Sequence, residues 1–447
     1  MIQKRKKQIK FIILIAIIIG LIAGGTFWIL ANHREETKTE EITEQIDFSS
    51  KRLIVTTDSE LKETYNAKSV NKMYSGKYAI KYETETDTKN AYKNFKNDPN
   101  IQEVYVDKYI KIDIQSIEPY TIQYSYNEVT GISYDKDGYE SWGTYAMGLD
   151  ETQTKINSNS GKKDVVVAVI DTGFDLNHSF MEEQNLVSRI DKRYKNVTNN
   201  SDDISDRYST GTSGIDGHGT LVGSIILDAT PDNVKILPIK VEDDAGEMTF
   251  TYILEAIQYA INMGVDVMNI SLGADEEEWG SLPNEIQTQI ENIFLNAFNK
   301  NITIIAASGN DGKDMQNTYP AALDGVFSVG ALQTDLIVHV IDNGTYVIYD
   351  PTYKNARNSK KENLSKPDFS NFGEKLDFTA PGKEILCMRP KDANNGKGII
   401  AERDFMCFAL YSCNSWNYKK LQQRIDKWSN IWNIKILFFR LRFYWPR

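Results

Sequence analysis

Short apolar runs separated by amphipathic segments constrain the fold of this chain more than any other feature. Five of these runs lie between residues 165 and 329, and none shows strict alternation: Val165–Ile170, Val234–Ile239, Val265–Ile270, Ile302–Ala307 and Val326–Val329. Runs of this kind, rich in β-branched residues, are typical of strands buried on both faces of a parallel sheet. The segments Thr251–Met263 and Pro283–Asn299 between them have helical apolar spacing. The pattern predicts an α/β domain with a mostly parallel sheet and helices on both faces.

Composition narrows the functional classes. The 447 residues carry a formal net charge of -11, which argues against a nucleic-acid partner because phosphate binding needs clustered Lys and Arg. We interpret the charge as a solvated acidic surface. Only Cys387, Cys407 and Cys413 occur, and they have neither the number of a disulfide framework nor the spacing of metal ligands. The sequence therefore identifies no metal site.

The first 34 residues resemble a membrane anchor. A basic flank precedes an uncharged apolar run at residues 11–30. As a helix this run spans about 30 Å, the thickness of a bilayer core. The basic flank favours a single-pass protein at the cell membrane with the remainder extracellular. The alternative is a signal peptide, with residues 1–31 cleaved and the protein secreted.

A small α+β domain is predicted at residues 51–118, between polar linkers at 35–50 and 119–140. The predicted elements are strands at Lys51–Thr57, Tyr78–Glu83 and Ile101–Ile114 and helices at Asp58–Tyr65 and Asp87–Asn97. Ala91, Tyr92 and Phe95 fall on one side of the second helix, and Val104 and Val106 on one face of the last strand. The larger α/β domain is predicted at residues 141–404, with a polar, hairpin-like insertion at Ile337–Lys366.

Two candidate catalytic residues lie where an open α/β sheet places its ligands, beyond the carboxyl ends of the strands. Asp171 ends the first buried strand in Val-Ile-Asp-Thr-Gly, although an Asp there is also an ordinary turn cap. His218 stands in Asp-Gly-His-Gly-Thr before an apolar helical segment, and it is one of only four histidines. A lone histidine is more often a core or surface residue than a catalyst. Paired with Asp171, it becomes a candidate general base.

Two further segments follow buried strands. Asn310 lies in Ser-Gly-Asn-Asp-Gly, where it is either part of a plain turn or an amide donor to an oxyanion, a contribution of about 3 kcal/mol. Ser271, Leu272 and Gly273 follow the Val265 strand. They are either an ordinary strand end or an extended edge with which a substrate peptide pairs.

Together these motifs resemble the subtilisin family of serine proteases. The ordered landmarks are Asp171-Thr172-Gly173, His218-Gly219-Thr220, Asn269–Gly273, Ser308-Gly309-Asn310, Tyr319-Pro320-Ala321, Phe369–Gly373 and Thr379–Gly382, and the resemblance covers about Trp142 to Gly398. It implies a subtilisin-like fold, with Asp171 as triad acid, His218 as general base and Asn310 as oxyanion donor. Ser271–Gly273 would line the cleft for a polypeptide substrate. Residues 51–118 resemble the family's propeptide, which occupies that cleft. Family members often bind calcium, but no loop here fixes a site.

The nucleophile is the departure from the family pattern. The family places its serine in Gly-Thr-Ser-x-Ala-x-Pro, opening a buried helix, and no Gly-Thr-Ser follows Gly382. Residues 405–447 instead contain four of the seven tryptophans and eight basic residues against the single acid Asp426. Ser412 and Ser415 lack the small neighbours that a tight strand-to-helix turn needs.

We infer a reading-frame shift near Asp404. Tryptophan has the single codon TGG, which read one base later always gives glycine, at Trp416, Trp428 and Trp432 among others. With suitable codon choices, the shifted tail resembles the family's nucleophile helix and last helix. The alternative is a divergent natural tail.

Two functions compete at this stage. The first is a subtilisin-like serine endopeptidase that, with the sequence as it stands, is inactive. It then keeps its propeptide, since maturation in this family is self-cleavage. The second is a non-catalytic, membrane-tethered protein that binds peptides in the cleft. Ser412 as a substitute nucleophile is a third, weaker reading.

Overall fold

The computed structural model describes residues 46–110, 142–158, 161, 163–178, 181–182, 185–206, 217–335, 339–342, 345–348, 363–383, 385–388, 390 and 399–401. The chain divides into two units, Met1–Ser49 and Ser50–Arg447. The proposed anchor at residues 11–30, the linker at 119–140 and the tail at 405–447 lie outside the described residues. No helix in the described part of the chain is long and apolar enough to cross a membrane.

The second unit begins with a small α+β domain at residues 50–110, which we call the N-domain. Its elements are β1 (Arg52–Thr56), β2 (Ser69–Lys72), β3 (Tyr78–Lys81), α1 (Glu85–Asn97) and β4 (Glu103–Val106). The strands form an antiparallel sheet in the order β2-β3-β1-β4. Helix α1 begins at Thr84, whose side chain accepts from the Asp87 N–H, and it buries Thr88, Ala91 and Phe95. Val104 and Val106 are both buried, as the alternation predicted.

The structure differs from the expectations for this domain in three details. Asp58–Tyr65 is not a helix, since Tyr65 and Asn66 have φ values of 51° and 63° and the chain turns there. The segment has few apolar residues, too few to offset the cost of nucleating a short helix. Strand β2 was not predicted, because it is mostly exposed and polar. Tyr92 is half-buried, whereas Ala91 and Phe95 are fully buried.

A mostly parallel sheet forms the centre of the larger domain, as predicted. Within the described residues its strands are β5 (Val165–Asp171), β6 (Lys195–Asn196), β7 (Val234–Lys240), β8 (Val267–Ile270), β9 (Thr303–Ala307), β10 (Val326–Thr334), β13 (Leu364–Ser365) and β14 (Phe378–Pro381). Their order is β13-β10-β9-β8-β5-β7-β6, with β14 also paired to β10. Only β13 pairs antiparallel among these strands. Strands β8 and β9 are buried along their whole length, as expected for strands covered on both faces.

Helices connect these strands. They are α2 (Trp142–Ala146), α3 (Leu149–Asn157), α4 (His218–Ala229), α5 (Phe250–Met263), α6 (Glu276–Gly280) and α7 (Asn284–Asn299), with a short 3₁₀ helix at Leu186–Arg189. Helices α5 and α7 occupy the two predicted amphipathic segments. Helices α2 and α3 were missed, because the sequence before residue 156 has no strong period. Trp142 nevertheless anchors α2, since its ring is fully buried and Nε1 donates to the Lys383 carbonyl at 2.9 Å.

The predicted insertion contains a hairpin, as its pattern indicated. Strands β11 (His339–Asp342) and β12 (Thr345–Ile348) pair antiparallel. A second small antiparallel pair, β15 (Ile385–Cys387) and β16 (Ile399–Ala401), closes the described part of the chain.

The N-domain contacts the loop before α5 and α5 itself through buried charges. Arg52 donates to Asp107 at 2.8 Å and to Asp243 at 3.1 Å, and its guanidinium lies 4.3 Å from the Tyr252 ring centroid. Thr251 donates its hydroxyl to Asp107 at 2.6 Å. Burial raises the pKa of Asp107, and Arg52 and the hydroxyl donors oppose that shift. Three charged side chains from distant segments therefore share one desolvated site.

The end of the N-domain runs alongside the start of α5. Tyr109 forms an antiparallel bridge with Thr249, and the Ile110 N–H donates to the Met248 carbonyl at 3.0 Å. Nearby, Glu255 accepts from the Ser75 N–H at 2.6 Å. The contact thus joins the N-domain to the larger domain by backbone pairing as well as by side chains.

Candidate active site

Asp171 and His218 are in direct contact. Asp171 is the last residue of β5 and His218 the first residue of α4, and their exposed fractions are 2% and 3%. His218 Nδ1 lies 2.7 Å from Asp171 Oδ1. Since an ionised carboxylate only accepts hydrogen bonds, this contact places the imidazole proton on Nδ1 and leaves Nε2 as the basic nitrogen. The pair can therefore act as a carboxylate-oriented general base.

Glycine at position 219 permits the close approach of the two motifs. A Cβ built on Gly219 would lie 2.2 Å from the Gly173 carbonyl oxygen. Any side chain there would push the start of α4 away from the end of β5. This explains why a glycine directly follows the histidine.

A buried residue that sequence reasoning missed lies behind the pair. Asp206 is 4% exposed and accepts from the Thr172 hydroxyl at 2.9 Å and from the Thr220 N–H at 2.8 Å. Burial raises the pKa of Asp206, whereas Lys240 and the donors act to lower it. No motif marks this aspartate, so only the folded arrangement reveals it.

Asn310 lies on a loop after β9, and a second missed residue holds that loop. Asn371 is fully buried; its Nδ2 donates to the Ser308 carbonyl at 2.9 Å. Its Oδ1 accepts from the N–H groups of Asp311 at 3.0 Å and Lys313 at 2.9 Å. The Asn310 backbone is therefore fixed on both sides by one side chain. The Phe-Ser-Asn-Phe-Gly landmark could have drawn attention to Asn371, but its role depends on partners about sixty residues away.

Replacing Asn371 with leucine is expected to destabilise this loop. The change leaves one carbonyl and two N–H groups without their partner, at a cost of about 1–3 kcal/mol for each group that stays buried. Hydrogen exchange at the Asp311 and Lys313 amides should accelerate far more than exchange in β5. The variant Asn363→Leu, at a half-buried asparagine outside this loop, is the matched control. Equal exchange in both variants would contradict the assigned role of Asn371.

Ser271, Leu272 and Gly273 follow β8, and Ser271 and Leu272 are buried. The Ser271 hydroxyl accepts from Asn269 Nδ2 at 2.8 Å. A Cβ on Gly273 would lie 2.7 Å from the Tyr319 carbonyl oxygen, next to the two hydrogen bonds that pair Ala274 with Tyr319. The segment is thus held against residue 319 in an extended form.

All these candidates lie at one edge of the sheet. Strands β5, β8 and β9 are adjacent and parallel, so their carboxyl ends point the same way. Asp171, Ser271 and Asn310 are at or just beyond those ends. The edge predicted to hold the site is therefore the edge that gathers the candidate residues.

The remaining expectations concern residues that the structure does not describe, or metals. Ser412 and Ser415 lie outside the described residues. Among the residues that are described, no group of three or more His, Cys, Asp or Glu side chains is placed to hold a metal ion. The described residues therefore identify no calcium site, and we derive no step through calcium.

Comparison with known proteins adds independent information. A profile of the Subtilase family matches residues 162–405. The thermophilic serine proteinase of Bacillus sp. strain AK1 is 32% identical over 246 residues, which are 54% of this chain and 50% of that protein. The major intracellular serine protease of Bacillus subtilis is 26% identical over 281 residues, 59% of this chain and 73% of that protein. The chain thus spans about half the length of the thermophilic relative.

A solved structure shares the fold. The epidermin leader peptide processing serine protease of Staphylococcus aureus aligns with a TM-score of 0.51 at 20% identity, covering 84% of this chain and 90% of that chain. The family profile covers more than half of the present sequence and includes Asp171, His218 and Asn310. The chain belongs to the subtilase family of serine proteases.

Proposed function

We propose that this chain is a serine endopeptidase of the subtilisin type, built to cleave peptide bonds by a Ser-His-Asp mechanism. The observation that carries the proposal is the buried 2.7 Å contact between His218 Nδ1 and Asp171 Oδ1 at the ligand-binding edge of the sheet. A carboxylate, an imidazole and an amide-bearing loop gathered at one edge are the parts that acyl transfer requires.

Each group has a defined part in this mechanism. A serine hydroxyl attacks the peptide carbonyl while His218 Nε2 accepts its proton, and His218 then returns that proton to the leaving amine. Asp171 holds the Nδ1–H and stabilises the imidazolium that forms. Asn310 donates its side-chain N–H to the developing oxyanion, and preorganised donors of this kind contribute about 3 kcal/mol. The buried clamp by Asn371 supports the Asn310 assignment, since it fixes the loop before substrate arrives.

The nucleophile is not assigned, and we propose that the chain as printed is inactive. No Gly-Thr-Ser follows Gly382, and the family match ends at residue 405, where the sequence changes character. A frame shift near Asp404 accounts for both observations.

We further propose that the N-domain is the propeptide of this protease. Its end pairs with residues 248 and 249 of the larger domain, and its buried Arg52 bonds to Asp243. A polypeptide substrate would add as a strand in the same way, with Ser271–Gly273 as the opposite edge. Without self-cleavage the propeptide stays attached.

For localisation we propose a single-pass membrane protein, tethered through residues 11–30 with the catalytic domain extracellular. Secretion after cleavage of residues 1–31 is the alternative. The absent Gly-Thr-Ser favours a second function, a membrane-tethered pseudoprotease that binds peptides without cutting them.

Fluorophosphonate labelling separates these functions. The chain as printed is expected to take up no label, because no Gly-Thr-Ser motif follows Gly382. A corrected gene is made by changing the reading frame within the codons for residues 403–407, so that all later codons are read one base later. Its product is expected to be labelled. Labelling of the printed chain at Ser412 or Ser415, lost in His218→Ala, would refute the proposed inactivity. Absence of label from the frame-shifted product would favour the pseudoprotease.

A further inference from the structure

Asp206 links the two segments that carry the candidate catalytic residues. Its Oδ1 accepts from the hydroxyl of Thr172, the residue after Asp171. Its Oδ2 accepts from the backbone N–H and, at 2.6 Å, from the hydroxyl of Thr220, two residues after His218. One carboxylate thus holds the end of β5 and the first turn of α4.

The hydroxyls of Thr172 and Thr220 each accept one hydrogen bond and donate another to Asp206, so each forms a two-step relay of hydrogen bonds that ends at this carboxylate. The Thr172 hydroxyl accepts from the Gly219 N–H at 2.8 Å, and the Thr220 hydroxyl accepts from the Asp175 N–H at 3.0 Å. Each hydroxyl has a single proton, and each donates it to Asp206. Both relays therefore need an acceptor at each Asp206 oxygen, which an ionised carboxylate provides and a neutral amide does not.

A nearby cation makes that charge tolerable in a buried position. The Lys240 ammonium donates to the Thr172 carbonyl and lies 3.2 Å from Glu242. Its charge acts to lower the pKa of Asp206 against the effect of burial. Buried charge that is paired and fully hydrogen-bonded is the arrangement that a folded protein can retain.

We propose that Asp206 is a positioning residue that fixes the geometry of the Asp171–His218 pair. It touches neither side chain. It acts through Thr172, Gly219 and Thr220, which set the separation between the end of β5 and the start of α4. The inference deepens the proposed protease function and rests on it, since the geometry matters only if His218 serves as the base.

The test follows the His218 Nδ1 proton by NMR in the full chain labelled with ¹⁵N-histidine, with His218→Gln to assign its signal among the four histidines. In Asp206→Asn this proton is expected to exchange with water about tenfold faster, the factor that corresponds to loss of one buried hydrogen bond. Thr172→Val, which keeps the charge but removes a relay, is expected to have the same effect. Thr172→Ser restores the hydroxyl and is expected to exchange as the unmodified chain does.

The matched control is Asp202→Asn, which removes one negative charge from a carboxylate in the same loop whose side chain is 78% exposed. It is expected to leave the Nδ1 proton unchanged. An unchanged proton in Asp206→Asn or in Thr172→Val overturns the proposal. Equal acceleration of the β5 backbone amides also overturns it, because it means a general structural role. If Asp206→Asn does not fold, the two Thr172 variants decide in the same way.

The readout needs no nucleophile. Faster exchange of the Nδ1 proton in these variants together with absent labelling of the frame-shifted product would mean that the protease proposal fails while the positioning role stands. Labelling of that product without any change in Nδ1 proton exchange would mean that the protease proposal stands while the positioning role fails.

Discussion

Replacing Arg52 with methionine is expected to weaken the attachment of the N-domain by about 3–5 kcal/mol, the cost of breaking a buried ion pair by removing one partner. Methionine matches the length of the arginine side chain but leaves Asp107 and Asp243 buried without their cation. Burial acts to lower the pKa of Arg52, but Asp107, Tyr252 and Asp243 together raise it, so the guanidinium is charged at every accessible pH. The whole penalty therefore falls on the two carboxylates.

Hydrogen exchange in β1 measures this effect. Amides of β1 that hydrogen-bond to β3 and β4 are expected to open about 10²–10⁴ times more often in Arg52→Met, the factor that corresponds to this free-energy change. Adding Asp107→Asn to Arg52→Met removes one of the two carboxylate charges left without a cation, and is expected to recover part of the lost stability. Lys68→Met is the control within the same domain, because Lys68 and its partner Glu83 are both well exposed. Equal exchange in Arg52→Met and Lys68→Met would show that the buried charges do not hold the N-domain.

The sheet and the catalytic pair could be predicted because their signals are local. A strand such as Val165–Asp171 shows its burial in its own residues, Asp171 ends that strand, and His218 begins an apolar helical segment. Parallel strands bring their carboxyl ends to one edge whatever the intervening sequence is. This rule places Asp171 at that edge, whereas the pairing with His218, 47 positions away, came from the resemblance to the subtilisin family, and the 2.7 Å contact agrees with it.

The supporting residues could not be predicted, because their roles depend on partners far along the chain. Asp206 meets Thr172 across 34 residues, Asn371 meets Ser308 across 63, and Arg52 meets Asp243 across 191. A buried polar residue carries no periodic signal, and a loop position gives no indication of burial. Strand β2 was missed for a related reason, since an exposed edge strand needs no apolar pattern.

In the frame-shifted product, replacing His218 with alanine is expected to lower kcat on a peptide substrate by about 10⁶-fold, the effect of removing a triad base in a related protease. His218 is the only described group in contact with Asp171 that can both take a proton from a serine and return it to the leaving amine. The change leaves serine without a base, while substrate binding along Ser271–Gly273 is unaffected. KM is therefore expected to change little, so the loss falls on kcat.

In the same frame-shifted product, Asp171→Asn keeps His218 but removes the carboxylate that orients its imidazole. An amide at this position can donate to Nδ1, which stabilises the wrong tautomer and moves the basic nitrogen away from the serine, so kcat is expected to fall by about 10⁴-fold. His178→Ala is the control, because His178 is also a buried histidine but follows β5 rather than opening α4. Steady-state cleavage of a fluorogenic peptide measures all three variants. Two results would contradict the assigned roles: a loss of activity in His178→Ala as large as that in His218→Ala, or full activity in Asp171→Asn. Neither result is compatible with a general base at His218 Nε2 whose Nδ1–H is held by a carboxylate.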